Sequence, residues 1–209
     1  LFITLGTSWA YRLRKYGQIV SNCHKIPDNR FHRFFSTIDQ SVVSLDESLG
    51  LLRNINPGLQ VVFTVSPIRH WKNGAIDNQR SKAALIMAIA QLQQQHDWIA
   101  YFPAYEIFMD ELRDYRFYAP DMLHPSEEGT NYIWEKFRDA LFTREAEELA
   151  QNVQKIANAV KHRARFPETQ SYQKFVGSTL SAIDNLRHTH PFLNFEKEIA
   201  MLEESSGNS

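Results

Sequence analysis

Val61-Val62-Phe63-Thr64-Val65, closed by Ser66-Pro67, decides the fold. The run is apolar and β-branched with no polar alternation. It therefore reads as a strand buried on both faces, as strands of a parallel sheet are. Working outward, two more runs share that character. Leu1-Phe2-Ile3-Thr4-Leu5 ends at the turn Gly6-Thr7-Ser8, and Trp98 to Phe102 stops at Pro103. Helical patterns separate them. Ile38, Val42, Leu45, Leu49 and Leu52 recur at helical spacing up to Asn56-Pro57-Gly58, which breaks the pattern. Asn78 to Gln95 reads as an alanine-rich helix with Ala84, Ala88 and Leu92 on one stripe. Asn131 to Phe142 reads as a further helix, with Ile133, Trp134 and Phe137 facing inward.

Strands separated by helices of this length need crossover connections, and those imply a parallel sheet with helices on both faces. The stretch from Ser8 to about Phe35 is polar and aromatic, with no clear period. Three strands are few for such a sheet, and Leu1 falls inside a strand. The chain is therefore expected to be a fragment, with further strands supplied by a preceding segment. The α/β character covers residues 1–142.

From 143 to 209 the pattern is helical throughout. Leu149, Val153, Ile156 and Val160 form one stripe, Val176, Leu180, Ile183 and Leu186 a second, and Phe195, Ile199 and Leu202 a third. Pro167 and Pro191 divide them. Isolated amphipathic helices of this length are marginal in water. The stripes are expected to pack on one another and on the α/β domain, with Leu149, Val153 and Ile156 largely buried.

Hydrophobic residues make up 43% of the chain and charged residues 22%, a globular composition. The net charge of -1 supplies no field of one sign, so neither nucleic acid nor an anionic membrane surface is an expected partner. No run approaches the roughly 18 apolar residues of a membrane span. Cys23 is the single cysteine, so no internal disulfide can form. A soluble, cytoplasmic setting is the working expectation, with a targeting signal neither ruled in nor out.

The sharpest chemical signal is Asp121-Met122-Leu123-His124-Pro125, between the last strand region and a helix. An acid and a histidine three residues apart on a tight turn can bond side chain to side chain. The carboxylate then fixes one imidazole tautomer, as a general base for a serine requires. The plain alternative is a surface Asp-His pair beside a helix start that Ser126 caps. No two of the 8 histidines have His-x-x-x-His spacing, and no phosphate-binding glycine pattern occurs, so neither a metal nor a cofactor is expected.

Asp121-x-x-His124-Pro125 before a final helix resembles the last motif of the SGNH (GDSL-like) hydrolases. Other segments resemble the GSCFA family within that group: Ile3 to Trp9, Asn22 to Pro27, Thr64 to His70, Ser81-Lys82-Ala83, Tyr101 to Glu106, and Asp110 to Tyr118. The resemblance covers about residues 1–140. It implies a flavodoxin-like, three-layer SGNH fold, incomplete at the N-terminus. It also implies an ester hydrolase or acyltransferase working through an acyl-serine, with Asp121 and His124 catalytic. The motif Gly-Ser-Cys-Phe-Ala, whose serine is the nucleophile by analogy, is not among these residues and is expected upstream of Leu1. A small-molecule or carbohydrate ester is the substrate class by fold analogy. The rival is a non-catalytic binding or scaffold module, with the helical tail as its partner surface.

Ser8, in Gly6-Thr7-Ser8, is the rival nucleophile. The preferred reading makes the Gly6 turn a ligand-facing loop at the sheet's C-terminal edge, whose backbone N-H groups help to hold an oxyanion. Asn22 and His24 are further oxyanion or substrate-binding candidates, set against a loop asparagine bonding its own backbone. Arg69 and His70 follow the buried strand. Arg69 either binds a substrate carboxylate or phosphate through its donor fork, or pairs with an acid among Asp110 to Asp114. Tyr115, Phe117 and Tyr118 are expected to pack the domain.

Overall fold

The structure, a computed structural model, describes residues 1–20, 23, 25–161 and 169–207. It divides into two compact units, Leu1–Phe137 and Arg138–Ser209. In the first unit, β1 (Phe2–Leu5), β5 (Val61–Val65) and β6 (Ile99–Phe102) form a parallel sheet in the order β1-β5-β6. The register runs Phe2 opposite Val62 and Leu5 opposite Val65, then Val61 opposite Ile99 and Thr64 opposite Phe102.

The central strand explains the layering. Val61, Phe63 and Val65 are buried against α1 (Ile38–Ile55) and α2 (Gly74–Gln95), where Leu49, Leu85, Ala88, Ile89 and Leu92 meet them. Val62, on the opposite face, joins Phe102 and Ile107 under Tyr132, Ile133 and Phe137 of α4 (Glu127–Leu141). Alternate residues of one strand thus serve two helical layers, which is why the run has no polar face. Helix α1 starts at a capping box, with Thr37 accepting from Gln40 N-H and the Gln40 side chain accepting from Thr37 N-H. Two expected core positions lie outward: Leu52 at the end of α1, and Trp134, which is 46% exposed and stacks on Phe137 at 5.5 Å. The apolar stripe is narrower than the periodicity suggested.

The stretch expected to be irregular is a second sheet. β2 (Trp9–Leu13), β3 (Ile19–Val20) and β4 (Phe31–Phe35) form it, antiparallel, in the order β3-β2-β4. Trp9, Tyr11 and Leu13 pair with Phe35, Arg33 and Phe31. Trp9 meets Phe35 edge-on at 5.5 Å, the Arg33 guanidinium lies 4.7 Å from the Trp9 ring, and Arg12 covers Phe34. Arginines stacked on aromatics belong to both faces of the pattern, so the alternation that announces a strand is blurred.

Between β6 and α4 lie α3 (Ala104–Glu106), a wider π-helical turn at Ile107–Glu111 and a 3-10 turn at Tyr115–Phe117.

The second unit is helical, as expected. α5 (Arg144–Lys161), α6 (Gln170–Thr189) and α7 (Glu196–Gly207) pack on one another. Ile156, Val176, Ile183, Phe195 and Leu202 form its core, with Val153, Val160, Leu180, Leu186 and Ile199 packed around it. Ile156 is buried, whereas Leu149 and Val153 are half-buried. Pro167 lies outside the described residues. Among the described residues no helix is long and apolar enough to cross a membrane.

Candidate active site

The acid and the histidine meet. Residues 119–125 make a closed turn, with Met122 N-H donating to Ala119 O at 2.9 Å and Ala119 N-H donating to His124 O at 2.8 Å. Met122 takes φ 60, a left-handed conformation that side chains adopt rarely and that an over-determined turn can hold. Asp121 Oδ1 accepts the backbone N-H groups of Leu123 at 2.9 Å and His124 at 3.0 Å. Its Oδ2 lies 2.5 Å from His124 Nδ1. The two backbone donors, then the ring, hold the Asp121 carboxyl down at about 2. An ionised carboxylate only accepts, so Nδ1 carries the proton of this bond. Nε2 is left as the basic nitrogen and has no hydrogen-bond partner among the described residues. Both side chains are about half exposed.

The helix behind supports this turn. Ser126 Oγ accepts Gly129 N-H at 3.2 Å and so caps α4, and Ser126 N-H donates to Phe117 O at 2.6 Å. Gly129 is buried where an added Cβ would stand 2.9 Å from Phe117 O, so only glycine lets the Phe117 backbone cross here.

The turn is tied to the C-terminal edge of the parallel sheet, because Arg69 N-H, just past β5, donates to Leu123 O at 3.3 Å. Gly6, just past β1, lies at the same edge. An added Cβ there would stand 3.2 Å from His70 Nε2, so the His70 ring lies over the Gly6 turn. His70 N-H donates to buried Asn78 Oδ1 at 2.9 Å. The His70 pKa is lowered by partial burial, then by the charges of Lys82 and Arg33. Gly6, Arg69 and His70 therefore share one edge with Asp121 and His124. Asn22 and His24 lie outside the described residues.

Arg69 does not pair with the acids of residues 110–114. Its Nη2 donates to Tyr118 Oη at 2.8 Å, and its guanidinium lies 4.5 Å from the Tyr118 ring and 5.9 Å from that of Trp71. Among the described residues no carboxylate lies within ion-pair distance of it. Tyr118 packs edge-on against Phe108 at 4.7 Å, whereas Tyr115 is 64% exposed.

Ser8 is bonded to neither Asp121 nor His124. It is buried, its hydroxyl donates to Ser81 O at 2.9 Å, and its N-H donates to Ser81 Oγ at 2.7 Å. Among the described residues no histidine bonds this hydroxyl.

The neighbouring Lys82 was missed by sequence reasoning. It is 1% exposed, and its ammonium donates to Gly6 O and Ser66 O, each at 2.6 Å. It clamps the ends of β1 and β5 and fixes the Gly6–Thr7 peptide. Burial lowers its pKa to about 8. The signal lay in Ser81, which extends the buried stripe of Ala84 and Ala88 back by one turn and carries Lys82 inward beside it. No group of three or more His, Cys, Asp or Glu side chains that could hold a metal occurs among the described residues.

The larger clefts lie elsewhere. One of about 580 Å³ beside Leu5, Ser8, Phe34 and Ser44 has no histidine in its lining, and one of about 480 Å³ is in the helical unit. Residues 1–137 match the GSCFA family, and residues 153–205 match the GSCFA domain protein, C-terminal domain. No curated protein and no solved structure matches the chain.

Proposed function

The chain belongs to the GSCFA family, and from that membership we propose that it is part of an SGNH-type ester hydrolase or acyltransferase of flavodoxin-like, three-layer fold. The observation that carries this reading is the 2.5 Å contact between Asp121 Oδ2 and His124 Nδ1, with Nε2 unengaged among the described residues at the C-terminal edge of a parallel sheet. That is where α/β folds place their ligands.

His124 Nε2 takes the proton of a serine hydroxyl as its oxygen bonds to the ester carbonyl carbon. The same nitrogen then returns that proton to the departing alcohol, leaving an acyl-serine. Water attacking the acyl group makes a hydrolase, and a sugar hydroxyl makes a transferase. Asp121 orients the imidazole and stabilises its protonated form. The Gly6 turn, fixed by Lys82, is the candidate oxyanion holder. The nucleophile in this reading is the serine of Gly-Ser-Cys-Phe-Ala, a motif these 209 residues do not contain.

The test uses the protein that carries this motif. A fluorophosphonate is expected to add covalently to the motif serine, and His124→Ala is expected to lower kcat/KM on p-nitrophenyl acetate by about 10³-fold or more. An unlabelled serine, together with unchanged turnover in His124→Ala, would leave a non-catalytic binding module.

A further inference from the structure

Arg69 has the surroundings of a ligand-binding residue. It lines two adjoining clefts, one of about 210 Å³ with Trp71, Asn78, Tyr105 and Tyr115, the other of about 200 Å³ with Phe108, Arg113 and Tyr115. One hydrogen bond, to Tyr118 Oη, holds the guanidinium between the Tyr118 and Trp71 rings. Its remaining N-H groups have no acceptor among the described residues. The carboxylate nearest in the chain that lines either cleft, Asp114, is engaged by Arg116, through its backbone N-H at 2.9 Å and its Nε at 3.8 Å.

Apart from Asp121, held by His124, and Asp114, held by Arg116, the charged groups named around this edge are cations. Lys82 bonds the Gly6 and Ser66 carbonyls, and Arg33 is held by the Asn73 side chain and the Trp9 ring. Neither has a carboxylate partner among the described residues. A guanidinium fork pre-set by stacking is the side chain best suited to a planar carboxylate or a phosphate. Exposed aromatic faces beside it suit the flat apolar face of a sugar ring, and Trp71 and Tyr115 are 52% and 64% exposed.

We propose that the clefts at Arg69 bind an anionic carbohydrate: a sugar whose carboxylate or phosphate sits on the Arg69 fork, with its ring against Trp71, Tyr105 and Tyr115. The backbone bond from Arg69 to Leu123 places this subsite beside the turn that carries His124. As a statement about substrate it rests on the acyl-transfer reading; as a statement about binding it does not.

Calorimetric titration of the 209-residue chain with glucuronate, glucose 6-phosphate, inorganic phosphate and glucose tests it. At least one charged sugar is expected to bind tenfold or more tighter than glucose, and the two charged sugars show whether carboxylate or phosphate is preferred. Arg69→Gln is expected to abolish that difference, and Arg69→Lys to keep part of it. Tyr115→Ala, at an exposed position, is expected to weaken the charged sugar while leaving inorganic phosphate unchanged. Charged-sugar binding by a protein that carries the motif serine yet turns over no ester would overturn the catalytic reading alone. Equal affinity for glucose and both charged sugars, no binding of any probe at millimolar concentration, or an Arg69→Gln protein of native circular dichroism that binds undiminished would overturn the proposal.

Discussion

Asp121 holds His124 by backbone and ring at once: one carboxylate oxygen accepts the His124 N-H at 3.0 Å and the other lies 2.5 Å from its Nδ1. Folding therefore favours the ionised acid and lowers its pKa from 3.8 to about 2. A depressed carboxylate stabilises the fold above its unfolded pKa, and that contribution is lost as pH falls through the folded value. The turn is expected to stay closed at pH 4 and to open as pH falls toward 2. Amide exchange at Leu123 and His124, followed by NMR, should accelerate over that window. Asp121→Asn should abolish the pH dependence.

Gly129→Ala sets two effects against each other. Helix propensity favours alanine by about 1 kcal/mol. The new Cβ, however, would stand 2.9 Å from Phe117 O and 3.2 Å from Phe108 Cε2. Backbone cannot swing aside as a side-chain end can, and overpacking costs about 1–3 kcal/mol. Urea unfolding is expected to show net destabilisation, with the 117–126 segment loosened. A more stable variant would contradict the close crossing.

Lys82 has a folded pKa lowered from 10.5 to about 8 by burial. Below pH 8 both folded and unfolded chains are protonated, and the burial cost is present in full. Between about 8 and 10.5 the unfolded chain binds more protons, so stability rises with pH, by roughly 3 kcal/mol at 1.36 kcal/mol per unit. Unfolding free energies of wild type and Lys82→Met should differ in slope across that interval, with wild type gaining. Parallel profiles would mean that Lys82 titrates normally.

Ile183 is fully buried in the helical unit, among Ile156, Tyr172, Val176, Phe195 and Leu202. Ile183→Ala removes its buried methyl groups and leaves a cavity, at a cost of about 2–5 kcal/mol. Urea titration followed by circular dichroism at 222 nm measures it. A loss below about 1 kcal/mol would show that the three stripes do not share one core.

Local pattern by itself determined the parallel sheet, the two helical layers and the three helices of the tail. Each rests on apolar residues repeating along one element, as in Val61-Val62-Phe63-Thr64-Val65, and burial on a face enforces that repetition. Asp121 and His124 were legible for the same reason, because an i,i+3 pair closes within its own turn. Position just after a buried strand, not periodicity, marked Gly6, Arg69 and His70. Tertiary structure alone decided the rest. Trp9 to Phe35 became a sheet through cross-strand stacking of Arg12 on Phe34 and Arg33 on Trp9, contacts that a one-dimensional pattern does not contain. Ser81 rather than histidine became the partner of Ser8, 73 residues away. Lys82, which solvation would place outside, became the buried clamp between Gly6 and Ser66, because two strand ends presented carbonyls that no ladder bond satisfied. The partners of Arg69 were likewise set by folding, which brought Tyr118 to it from 49 residues away and left the acids of residues 110–114 without an ion pair to it among the described residues.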